Sequence, residues 1–115
     1  MSAEQDKPDV MVSTKPQEQE ETRTRQIPPY NVILHNDEHH SFEFVIQVLR
    51  KALGYSQEQA HVLTEEAHTS GRAIVWTGPK EVAEFKVEQI QTFHEIREPN
   101  GAKLGPLDCT IEPVA

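Results

Sequence analysis

Tyr30-Asn31-Val32-Ile33-Leu34, then His35-Asn36-Asp37-Glu38-His39-His40, then Ser41-Phe42-Glu43-Phe44-Val45: these sixteen residues decide the fold. The first five are short and β-prone and read as a strand. The next six are all polar and read as a loop. Ser41 is a suitable N-cap for a helix over Phe42–Leu53. Phe42, Val45, Leu49 and Ala52 or Leu53 mark one face of it, and Phe44, Ile46 and Val48 add a second. The helix is therefore expected to be buried on most sides. Gly54 ends it.

Downstream, Ser56 and Gln59 have capping-box spacing, with Tyr55 and Ala60 placed as a hydrophobic staple. A second helix runs to about Thr69 with Ala60, Leu63 and Ala67 on its apolar face, and Gly71 stops it. Arg72–Thr77 reads as a second strand. Gly78-Pro79 is a turn, with Pro79 suited to a first helical position. A third helix is expected from Pro79 to Arg97. Its apolar arc holds Val82, Ala83, Phe85, Val87, Ile90, Phe93 and Ile96, opposite Glu81, Glu84, Glu88, Gln91 and Glu95. Pro99-Asn100-Gly101 is a loop signal, and Leu107–Glu112 reads as a third strand. The order β-α-α-β-α-β predicts an α+β fold, a three-stranded antiparallel sheet packed against three helices.

Upstream the composition changes. Residues 1–26 carry Glu4, Asp6, Asp9, Glu18, Glu20 and Glu21 against Lys7, Lys15, Arg23 and Arg25, and nearly all their large apolar residues are Met1, Val10, Met11 and Val12. Such a stretch cannot bury enough surface to offset the entropy of ordering it. A flexible, disordered N-terminal extension over 1–26 is expected, followed by one folded domain over 27–115. A chain of 115 residues has room for one modest domain.

From Ile27 on there are thirteen acidic and seven basic residues, a net charge of −6. Without a basic stripe, nucleic acid is excluded as a main partner. A single cysteine, Cys109, excludes an internal disulfide framework. The N-terminus does not read as a secretory signal, and no apolar run approaches the ~20 residues of a membrane span. The expectation is a cytoplasmic protein away from membranes. A monomer is expected too, since no apolar stripe is left over once the core is built.

Three readings compete for the loop His35–His40. It is a solvated loop with capping residues, a metal site, or a polar recognition site beside an apolar helix. Metal is disfavoured because adjacent His39 and His40 diverge on an extended backbone and Cys109 has no partner thiolate. His61, Glu65 and His68 share one helix side. Glu65-x-x-His68 matches a ligand pair of di-iron bundles, but this chain lacks the second Glu-x-x-His and the extra helices. A solvated polar stripe accounts for them as well. Thr64 and His68, four apart, share a surface beside the apolar face. No nucleophile elbow, phosphate loop or activated cysteine is present in the sequence. An enzyme is not expected, and neither is a cofactor or a metal.

A loop of acceptors beside an apolar pocket suits one ligand well. A peptide α-amino group has a pKa of about 8 and is mostly an ammonium with three donors at neutral pH. Asn36, Asp37 or Glu38, and His68 supply an amide oxygen, a carboxylate and an imidazole. Phe42 and Val45 would wall a hole for the adjoining side chain.

Four motifs carry a family resemblance. Tyr30–Glu38 followed by Glu43-Phe44-Val45 is similar to the start of the ClpS adaptor family. His68-x-x-Gly71-Arg72-Ala73 resembles its histidine and glycine-basic-alanine turn. Glu81-Val82-Ala83-Glu84-x-Lys86-Val87 resembles its third-helix signature, and Pro106-Leu107-x-Cys109-Thr110-x-Glu112 its closing strand. The resemblance implies a non-enzymatic adaptor. It would bind proteins by a free, large hydrophobic N-terminal residue (an N-degron) and deliver them to a Clp AAA+ unfoldase, of ClpA or ClpC type, and its peptidase. The N-terminal extension would take part in delivery.

Carried over by position, the resemblance implies α-amino contacts at Asn36, Asp37, Glu38 and His68, with Glu38 standing for the family's second aspartate. It implies unfoldase contacts at Glu81 and Lys86. Val45 and Leu107 keep the pocket pattern. His35 replaces an aliphatic wall residue and His40 a threonine. Phe42 and Thr64 stand at two frequent methionine positions, and Ala67 replaces a valine. The alternative reading is a regulator of the unfoldase with altered or lost N-degron binding.

Overall fold

A computed structural model describes residues 27–97 and 100–115 of the chain; the expected N-terminal extension lies outside the described residues. The strand–loop–helix reading is realised as β1 (Tyr30–His35) and α1 (Phe42–Leu53). Ser41 caps α1, its Oγ accepting from the Phe44 N–H at 3.1 Å. Gly54, at φ 75°, closes it in the left-handed region. The second helix, α2 (Gln57–Ser70), starts at Ser56 with both arms of the capping box formed and ends at Gly71. β2 (Arg72–Gly78) and α3 (Lys80–Gln91) follow, then β3 (Ile96–Arg97), β4 (Ala102–Lys103) and β5 (Cys109–Pro113).

The main sheet has the order β2-β1-β5, with both pairings antiparallel. The central strand β1 therefore buries Val32, Ile33 and Leu34 in succession. Val32 and Leu34 face the helices, in one core with Ile46, Val48 and Leu49 of α1, Ala60 and Ala67 of α2, and Ala83 and Ile90 of α3. Ile33 lies between Ile74 and Thr110 on the flanking strands. This is the expected three-strand, three-helix α+β arrangement.

The closing strand and the third helix differ from the sequence reading: the strand begins at Cys109, not Leu107, and Pro79 stands before the helix as its N-cap. The third helix stops at Gln91, not Arg97, and a small ribbon of β3 and β4 follows it. Periodicity alone carries a helix through Phe93 and Ile96, but tertiary bonds turn the chain first. His94 Nδ1 donates to the Leu104 carbonyl oxygen at 2.8 Å, and Glu95 Oε1 accepts from the Ser41 N–H at 2.9 Å. Propensity is a weak prior against such bonds. Along α3 itself, Val82 and Phe85 belong to the expected apolar arc yet are 39% and 56% exposed.

Candidate functional site

The loop 35–40 hangs between two other segments. The His35 N–H donates to the Asp108 carbonyl at 2.9 Å, and the Asn36 N–H to the Gly71 carbonyl at 3.0 Å. Gly71 sits at φ 93°, where a side chain is strained, and its own N–H donates to Ala67 to finish α2. The end of α2 thereby brings His68 beside Asn36, 32 positions away in the chain.

These segments enclose a cavity of about 170 Å³. One wall is polar, made of His35, Asn36, Asp37, Glu38, His40 and His68. The other is apolar: Leu34 from β1, Phe42 and Val45 from α1, Thr64 and Ala67 from α2, and Leu107 before β5. All the α-amino and pocket candidates named from the sequence meet in this cavity. Sequence reasoning missed Leu34. It reads as strand core, and at 2% exposure it is that also; its place at the strand–loop junction was the available signal. Glu81 and Lys86 lie on α3, outside the cavity, where the Lys86 Nζ sits 5.7 Å from the centre of the Trp76 ring.

Local bonds fix several lining groups. The hydroxyl of Thr64, a buried residue that lines the cavity, donates to the Ala60 carbonyl at 2.7 Å. His35 Nε2 and Thr110 Oγ1 are 2.8 Å apart. The Phe42 ring, 38% exposed, stands edge-on to two imidazoles, His61 at 5.5 Å and His68 at 6.3 Å between centres. Asp37 is the most engaged. Its Oδ1 accepts from the His39 and His40 N–H groups, both at 2.8 Å, and its Oδ2 lies 2.9 Å from His40 Nδ1. Burial would raise its pKa, but the two backbone N–H bonds and the His40 ring outweigh that and hold it below the ordinary value of 3.8. The bonds occupy three of about four acceptor positions on the carboxylate.

Among the described residues, no three His, Cys, Asp or Glu side chains are grouped to hold a metal ion. The thiol of buried Cys109 is pushed up to about 12 by burial and by the neighbouring Asp108 charge, so it stays protonated and unreactive. No helix of the described residues is long and apolar enough to cross a membrane.

Comparison with known proteins places this geometry in context. The family model described as ATP-dependent Clp protease adaptor protein ClpS matches residues 11–110. The chain is 37% identical over 97 residues to the ATP-dependent Clp protease adapter protein ClpS of Vibrio atlanticus, covering 83% of this chain and 86% of that one. It is 41% identical over 87 residues to the protein of the same name from Pectobacterium carotovorum, covering 74% and 76%. Among solved structures, Agrobacterium tumefaciens ClpS2 bound to L-phenylalaninamide superposes with a TM-score of 0.63 at 29% identity, over 76% of this chain and 98% of that one.

Proposed function

This chain belongs to the ClpS family of ATP-dependent Clp protease adaptors, and from that premise we propose that it binds proteins by their free N-terminal residue and delivers them to a Clp AAA+ unfoldase. The family's members are named as adaptors, not enzymes. The observation that carries the reading is the two-sided cavity, acceptors on one wall and apolar groups on the other. Asn36, Glu38 and His68, with the remaining acceptor position of Asp37, hold the α-ammonium. A buried ammonium left unpaired costs several kcal/mol, so this wall makes a free amine a condition of binding.

The volume supports one side chain as the guest. Cavities for drug-sized ligands start near ~300 Å³, whereas an apolar cavity of roughly 150 Å³ takes a benzene ring. At about 170 Å³ the space suits Phe or a large aliphatic residue. The phenylalaninamide held by the Agrobacterium relative is of that class. Glu81 and Lys86 on α3 make the unfoldase contact, leaving the cavity free, and residues 1–26 assist delivery.

A reconstituted Clp protease tests this. A fluorescent protein beginning with Phe or Leu should be degraded faster when this adaptor is added, and an excess of a free-amine dipeptide such as Phe-Val should abolish the gain. An adaptor that alters degradation of other substrates while the dipeptide changes nothing would be a regulator without N-degron binding.

A further inference from the structure

Both ring nitrogens of His40 meet acceptors: Nδ1 lies 2.9 Å from Asp37 Oδ2, and Nε2 2.8 Å from the Gly105 carbonyl oxygen. A carbonyl oxygen only accepts, so Nε2 carries a hydrogen. The Asp37 carboxylate is ionised at neutral pH and also only accepts, so Nδ1 carries one as well. A neutral imidazole has a single N–H; a ring that donates twice is an imidazolium. The surroundings suit a cation. The side chain is 6% exposed, paired with the carboxylate, and stacked on Phe44 at 5.4 Å with 18° between planes.

The two acceptors belong to different segments of the chain, and only the first of them lines the cavity. Asp37 is in the loop that carries Asn36 and Glu38. Gly105 is two residues before Leu107, and it is Leu107 that lines the cavity. We propose that His40, as an imidazolium, clamps these two segments together and so is a positioning residue for the Leu107 wall. The proposal rests on the reading of the cavity as the site for an N-terminal residue.

The titratable and charged groups around the ring are few. Its own loop supplies Asp37, Glu38 and His39. The segment after α3 supplies Glu95, bonded to the Ser41 N–H, and Arg97, which donates to the His39 carbonyl. The segment before β5 supplies Asp108, and α2 supplies His68 across the cavity. Removing one ring proton costs the ring one of its two bonds; where that bond is the one to Gly105, the loop keeps, among the described residues, only the His35 N–H to Asp108 carbonyl bond to the segment before β5.

The test uses the free protein. Long-range ¹H–¹⁵N spectra of the imidazole rings are followed from about pH 5 to alkaline pH, together with amide hydrogen exchange over residues 104–108. Both His40 nitrogens should carry a proton at neutral pH. Loss of one proton should speed exchange in 104–108 by tenfold or more beyond the ordinary base catalysis seen elsewhere. His40→Gln, which keeps one donor and one acceptor, should show the fast exchange throughout and weaken binding of Phe-initiated peptides about tenfold. A His40 ring with a single N–H at neutral pH, or exchange in 104–108 indifferent to loss of a ring proton, overturns the proposal. A doubly protonated ring with coupled exchange, in a protein that binds no peptide at any pH, would leave the clamp standing and remove the functional reading instead.

Discussion

Asp37 and Ala67 show how individual side chains shape this cavity. Asp37 has both carboxylate oxygens committed within its own loop. Its pKa is lowered in the folded chain, so its contribution to stability is full above the ordinary value of 3.8. That contribution is lost as pH falls from there through the folded value. In thermal unfolding, the gap in Tm between the wild type and Asp37→Asn should narrow towards zero below pH 3.8. A constant gap would mean that the charge on Asp37 is not what matters. Ala67 lies on the opposite wall at 4% exposure. Ala67→Val pushes two more carbons into the space and should cost about 1–3 kcal/mol for the largest guests, roughly 5- to 140-fold in Kd. Peptides beginning with small aliphatic residues should keep their affinity. At this scale the six adjacent polar residues between a strand and a helix stood out in the sequence, although a solvated capping loop read from them equally well. Leu34 did not, because lining a cavity and filling a core look the same in one sequence. The bonds of His40 were not legible either, since nothing in the order of residues brings Gly105 to it.

The elements place these groups, and their ends do most of the placing. Gly71 both terminates α2 behind His68 and gives its carbonyl to the Asn36 N–H. An added Cβ meets nothing within 4 Å, so space is not the constraint; the φ of 93° is. Gly71→Ala should therefore lower stability by about 1 kcal/mol in denaturant unfolding. It should also weaken peptide binding, since relieving the strain moves Asn36 away from His68. Unchanged affinity at lowered stability would uncouple the cap from the site. Helix ends of this kind were readable from Ser41, Gly54, the Ser56–Gln59 box and Gly71, because capping is local chemistry. The end of the third helix was not. It is set by His94 and Glu95 reaching Leu104 and Ser41, and these partners are distant in sequence.

At the scale of the whole molecule, a chain of formal charge −8 carries a cavity lined in part by acceptor side chains, and the proposed guest is a cation. The favourable field adds to the local contacts but does not select among cations. On the proposed function, selection comes from the pairing of an ammonium with an apolar side chain on the adjoining carbon. The most direct measurement is fluorescence anisotropy of labelled peptides beginning with Phe, Tyr, Trp, Leu, Ile, Val or Met, each with a free and an acetylated amine. The account predicts saturable binding by free-amine peptides with large apolar first residues and no binding by any acetylated partner. Equal binding of the free and acetylated forms, or none by either, would contradict it.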